Sequence, residues 1–205
     1  MVDSTSRYMA FSTVRQDAGS DLAAGKDLAD RKYGAQGSLR TGVSVALTGQ
    51  GTGAVTITSM WDSSDACFAA RAAIYGDAEI QAWVSANNQV GVSFGLSKVR
   101  QEVGDCEGAF ACAAVATATD HSDESSDAVT AQIEQVIMPH GINGFRQVQL
   151  VAAGETTGAY INLFYTNSVD AYLAGSAAAW SDPGFVAVSQ KIGATIVDRL
   201  ISKML

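Results

Sequence analysis

The 205-residue chain is 47% apolar and 17% charged with a formal charge of −8, a balance that suits a cored globular protein and excludes a disordered one. Residues 1–105 carry 9 Lys/Arg against 11 Asp/Glu (9 − 11 = −2) and residues 106–205 carry 4 against 10 (4 − 10 = −6), so neither half offers the basic footprint of a nucleic-acid partner. No stretch approaches the roughly 20 consecutive apolar residues of a membrane span, and MVDSTSRYMAFSTV lacks the basic-then-apolar pattern of a leader.

In chain order, the first strand-like run is YMAFSTVR, Tyr8–Arg15, followed by a helix over about residues 20–33. GVSVALTGQGTGAVTITSMW then alternates Val43, Val45 and Leu47 with small residues, the period of two of a strand, and turns at a Gly-rich hairpin. A second helix follows with Ser64, Cys67, Phe68, Arg71, Ala72 and Tyr75 on one predicted stripe. A break at Gly76-Asp77 precedes another helical piece, and a possible strand covers residues 92–100.

The second half follows the same order. A strand is predicted over residues 109–119, and SDESSDAVTAQIEQVIMPHG opens with N-cap residues. Its apolar stripe is Val129, Ile133, Val136 and Ile137, and it stops at Pro139-His140-Gly141. FRQVQLVAAGETTGAYINLFY predicts a hairpin, and Val169, Tyr172, Leu173, Ser176, Ala177 and Trp180 predict a helix stripe. The last segment, residues 194–200, reads as a strand, although IVDRLISKML suits a helix as well.

Aligned without gaps, Val43 to Ala82 matches Val148 to Ala187 at 13 of 40 positions, including Gly49/Gly154, Gly53/Gly158, Asp65/Asp170 and Asp77/Asp182. A period near 105 residues is that of a duplicated small domain, here residues 1–105 and 106–205. The order β-α-β-β-α-β, repeated, predicts an α+β fold of two tandem ferredoxin-like units. Each unit leaves one sheet face uncovered by its helices, so the two open faces are expected to meet in an intrachain pseudo-dimeric α/β barrel.

This pattern resembles the dimeric α/β-barrel superfamily. GAYINLFYTNSVDAYLAGSAAAWSDPGFVAVSQKIG is similar to antibiotic-biosynthesis-monooxygenase-like domains in its strand, its x-S-x-x-D/E-A helix start and its D-P-x-F break. The first half departs from that pattern, with Asp77-Ala78-Glu79 at the break. The resemblance implies small-molecule chemistry of a cofactor-free monooxygenase or isomerase kind, so no cofactor is expected and a small organic molecule is the expected partner. The superfamily also holds haem-binding proteins and proteins without established chemistry, which leaves open haem binding through His140 or a non-catalytic binding or assembly scaffold.

The candidate catalytic residues are His140, Asn143 and Arg146, with Asn162, Tyr165, Trp180, Trp61 and Arg71 as candidate substrate contacts. Asn and Arg could hold and polarise an aromatic substrate through hydrogen bonds to a developing oxyanion. His140 could serve as a base or ligand, or simply favour the carbonyl end of its helix. Alternation in YINLFY favours Ile161 and Leu163 as the core face, whereas the repeat sets Asn162 opposite Ile57. A bulge or one-residue register change in one copy would reconcile them. No metal-ligand motif is present. Cys67, Cys106 and Cys112 read as reduced thiols of a cytoplasmic protein, a Cys106–Cys112 redox pair being the alternative. The barrel is expected as a monomer or homodimer.

Overall fold

The computed structural model describes residues 7–205; residues 1–6, which begin the stretch read for a leader, lie outside the described residues. The first half supplies β1 (Tyr8–Arg15), α1 (Leu22–Ala35), β2 (Arg40–Ala46), β3 (Val55–Trp61), α2 (Ser64–Gly76), α3 (Ala78–Ala86) and β4 (Val90–Gly104). The second supplies β5 (Phe110–Thr117), α4 (Asp123–Gln132), β6 (Ile142–Ala152), β7 (Tyr160–Thr166), α5 (Val169–Ser181), α6 (Pro183–Lys191) and β8 (Thr195–Met204). The eight strands close in the order β1-β3-β2-β8-β5-β7-β6-β4. Each half is thus a ferredoxin-like unit, and the last strand of each pairs with the second strand of the other, β4 with β6 and β8 with β2.

The repeated residues are those that the local geometry demands. Gly49 and Gly154 (φ 79° and 62°) and Gly53 and Gly158 (φ 83° and 94°) take the left-handed backbone of the two hairpins, a conformation that costs glycine little. Ser63 and Ser168 cap α2 and α5 by accepting from the amides of Ala66 and Ala171. Asp77 and Asp182 do the same for α3 and α6, each satisfying an orphan amide of the first turn.

One residue breaks the gapless match. Gly53 N donates to Ala46 O, whereas Gly158 N donates to Leu150 O, so the hairpins enclose six residues (47–52) and seven (151–157). Val43 therefore pairs with Ile57, but it is Gln147, not Val148, that pairs with Asn162. The register change expected in β7 lies in the preceding hairpin instead, and β3 and β7 keep their correspondence.

Both faces of the sheet are covered. Met9, Met60, Val99 and Val148 meet inside the barrel, with Ile161 and Leu163 packed against them. Outside it, Cys112, Ile133, Ile137, Phe145, Phe164 and Tyr172 form the core between sheet and helices of the second half, and Trp61, Cys67, Ala70 and Leu96 form part of that of the first.

The helix stripes sit one step round from expectation. α2 buries Cys67, Ala70 and Ile74, and α5 buries Tyr172, Gly175 and Ala179. Phe68, Tyr75, Leu173 and Trp180 are about half exposed instead. Gly175 lets α5 lie close to the turn after α4: a Cβ there would stand 3.0 Å from both Ile137 Cγ2 and Ile137 O. The stripe of α4 fits expectation, with Ile133 and Ile137 buried, although the chain passes there into a π-helical turn, Ile133–Ile137, and then a 3-10 turn, Met138–His140. The ambiguous C-terminal segment is strand, because β8 has two neighbours to pair with.

Leu173→Ala should change unfolding free energy by no more than about 0.5 kcal/mol. Phe145→Ala, at a site with 0% exposure, should cost about 3–5 kcal/mol. Urea denaturation of both variants checks the corrected core face.

Candidate functional site

The sheet separates two environments, and strand alternation assigns side chains to one or the other. On β7, Tyr160, Asn162 and Phe164 face the helices of the second half, while Ile161, Leu163 and Tyr165 face the barrel interior. On β6, Phe145 and Gln147 face the helices, and Arg146 and Val148 face inward. Four of the predicted site residues consequently fall into two places, Asn162 and Trp180 in one and Arg146 and Tyr165 in the other.

Between the sheet and α4–α6 lies a cavity of about 90 Å³, walled by Ala114, Ile133, Ile137, Phe164, Tyr172, Trp180 and Phe185. Trp180 and Phe185 meet edge to face, 5.6 Å between centroids. Into this apolar wall the sequence places a polar chain. Ser126 Oγ donates to Gln147 Oε1, and Gln147 Nε2 donates to Asn162 Oδ1 at 3.1 Å. Ser126 and Gln147 are buried, at 6% and 5% exposure, where an unmatched amide would be costly. The chain ends at the Asn162 amide, which donates to no other described residue.

Tyr160, also on this wall, has its hydroxyl 3.0 Å from His121 Nδ1, with the two rings stacked. Burial pushes the Tyr160 phenol up. Asp120, at the rim, accepts from Ser125 and the Ser122 amide, which hold its carboxyl at about 2; it is an anion there and a poor base. Gln147, Ser126 and the Tyr160–His121 pair were not singled out from sequence. The signal for Gln147 was the alternation in FRQVQL, which sets it beside Phe145 once the hairpin offset is known.

The second place is one end of the barrel interior. Arg146, 3% exposed, donates through Nε to Glu102 Oε2 at 2.8 Å and through Nη1 to the Tyr165 hydroxyl at 3.0 Å. A bulge in β4 between Val99 and Gln101 shifts the alternation and turns Glu102 inward to meet it. Burial alone would raise the Glu102 carboxyl, but the hydrogen bond and charge of Arg146, with Arg40 and Arg7 behind, hold it below the ordinary glutamate range. Burial pushes the Tyr165 phenol up despite Arg146. Arg40 Nη2 donates to Cys106 O at 2.6 Å and to Glu107 at 3.0 Å.

The remaining candidates lie elsewhere. His140 is an exposed residue closing the 3-10 turn, and Asn143 donates to Glu107 O at 2.9 Å; neither lines the helix–sheet cavity. Trp61 is 1% exposed in the first-half core, with Nε1 bonded to Ser59 Oγ. Arg71 stacks 3.6 Å over the Phe94 ring and bonds Ser12, so both serve the first half. The cysteines are free and buried, and burial pushes Cys106 and Cys112 up to about 11, the setting of inert thiols. The second-half cavity does not fit haem: its wall has no His, Cys or Met to ligate the iron. Among the described residues no group of His, Cys, Asp and Glu could hold a metal, and no helix is long and apolar enough to cross a membrane.

No protein-family profile and no curated protein sequence matches the chain. Solved structures do match it in shape. An anthrone oxidase-like protein aligns with a TM-score of 0.60 at 12% identity, over 98% of this chain and 92% of that one. A monooxygenase-like protein from Lactobacillus acidophilus gives 0.61 at 10%, over 98% and 93%. A chlorite dismutase variant from Candidatus Nitrospira defluvii gives 0.53 at 11%, over 98% and 91%. The chain has the dimeric α/β-barrel fold, with both units in one polypeptide.

Because Glu102 is held below its unfolded value, the stability it contributes is fully present above about pH 4.3 and falls away as pH drops through the folded value. Glu102→Gln should therefore lower stability at neutral pH by about 2 kcal/mol, reduced from the fully buried case because Glu102 is 27% exposed. It should also flatten the acid limb of stability, read by urea titration between pH 3 and 7.

Proposed function

We propose that the protein binds a small organic molecule in the second-half cavity between sheet and helices, and that it acts on that molecule in the manner of a cofactor-independent monooxygenase or isomerase. The observation that carries this reading is internal. At matching places in the two sheets the first half has Val43 beside Ile57, and the second has Gln147 beside Asn162. Packing alone is served by the aliphatic pair, so the amides call for a reason beyond the fold.

The chemistry follows from the donor set. A largely aromatic ligand fits between Trp180, Phe185, Tyr172 and Phe164, and its oxygen is met by the Asn162 amide. A fixed amide dipole in a dry cavity stabilises an enolate or phenolate oxygen better than water does. Tyr160, joined to His121, is the group through which a proton could leave. Of the residues first singled out, this reading uses Asn162 and Trp180 and gives no role to His140 or Asn143. It places the protein in the cytoplasm, in keeping with its three free cysteines, as a monomer or homodimer. The scaffold reading is favoured by one observation, the apolar cluster of Met9, Met60, Val99 and Val148 that fills part of the barrel interior.

Gln147→Val with Asn162→Ile rebuilds the first-half face in the second half and should fold. Titration with 2-naphthol should quench tryptophan fluorescence saturably in the parent and bind at least about tenfold more weakly in the double variant, the worth of one good hydrogen bond of about 1.4 kcal/mol. Equal affinity would remove the site. Native mass spectrometry of the same preparations should show any retained ligand in the parent alone; a bare parent that ignores naphthol would favour the scaffold.

A further inference from the structure

Beside the β2–β8 seam, where the Leu205 amide donates to Val43 O, the barrel interior holds a cavity of about 320 Å³ whose lining includes Arg40, Thr58, Met60, Arg146, Tyr165 and Met204. It lies on the opposite face of the sheet from the Gln147–Asn162 cavity.

Two donors at this cavity lack an acceptor. Arg146 Nη2 is buried with no hydrogen-bond partner among the described residues, although the other guanidinium nitrogens are used. The Tyr165 hydroxyl accepts from Arg146 Nη1; arginine can only donate, so the phenolic proton is left without a partner among the described residues. A buried donor of this kind forfeits its hydration unless something accepts from it.

We propose that this end of the barrel is a second binding site, taking the carboxylate of a small organic acid on Arg146 and Tyr165, with its carbon chain against Met60 and Met204. Charge favours a monoanion. Arg146 and Arg40 are paired with Glu102 and Glu107; releasing Arg40 from Glu107 leaves one net positive charge, which a monoanion neutralises and a dianion such as phosphate exceeds. Glu107 is 73% exposed at its side chain and can yield Arg40 to the incoming carboxylate at little cost. Nη2 has essentially no exposed surface, so lining side chains must shift for an oxygen to reach it. The methionine side chains are unbranched and can shift to admit the ligand.

The test uses butanoate as probe, at constant ionic strength set with sodium chloride, read by calorimetric titration and by thermal shift. Butanoate should bind the parent saturably and raise its Tm. Tyr165→Phe keeps the ring and removes one donor, and should weaken binding about tenfold. Glu102→Gln with Arg146→Met removes both buried charges together, so that neither is stranded, and should abolish binding. Gln147→Val with Asn162→Ile should leave butanoate affinity unchanged, which separates this site from the naphthol cavity. No saturable butanoate binding by the parent would overturn the proposal, as would unchanged affinity in Tyr165→Phe. Inorganic phosphate binding more tightly than butanoate would overturn the carboxylate assignment.

Discussion

A four-stranded sheet with helices on one side has a second apolar face that must be taken out of water. Everything distinctive in this chain follows from how that face is buried. Met9 and Met60 of the first half meet Val148, Ile161 and Leu163 of the second inside the barrel, so each copy is the other's missing layer. With both copies on one polypeptide, the pairing of β4 with β6 and of β8 with β2 needs no second chain. The two copies are then free to diverge.

The divergence is where function is to be sought. Residues that make turns and caps are kept: Gly49 and Gly154, Ser63 and Ser168, Asp77 and Asp182 serve the same backbone duty in each half. Residues that face the helix layer are not. Val55 and Ile57 in one copy stand where Tyr160 and Asn162 stand in the other; Asn162 is met by Gln147, itself bonded to Ser126, and Tyr160 by His121. A buried polar chain of this kind contributes little net stability compared with aliphatic packing. Its value lies in presenting a hydrogen-bonding group at a defined point in an apolar wall.

Much of this could be read before any coordinates. Tyr8–Arg15 is the strand its alternation predicts, and the doubled Gly-x-x-x-Gly and Ser/Asp caps announce the duplication. What could not be read arises where both faces of a strand are buried. In YINLFY, Ile161 and Leu163 serve the barrel interior while Tyr160 and Phe164 serve the helix layer, so a rule that seeks one apolar face finds two. The added hairpin residue then moves Gln147 to the place Val43 holds in the first copy, a shift that a gapless comparison hides. Glu102 escaped notice for a like reason, since the bulge after Val99 reverses its side. Proximity in sequence misled too: His140, Asn143 and Arg146 are neighbours along the chain, yet a 3-10 turn, a loop-facing amide and a barrel-facing guanidinium have no common cavity.

Arg146 is the hardest residue to explain by stability alone. Its partner Glu102 offsets its charge, but taking both from water costs about as much as their attraction returns, and an apolar pair of similar volume is often the more stable choice. The adjoining part of the same interior is such an apolar cluster, which shows that the barrel can be filled that way. Among the described residues the same guanidinium is incompletely bonded, and it borders a cavity of about 320 Å³. A ligand that completes the hydrogen bonds of Arg146 accounts for both the buried charge and the space beside it.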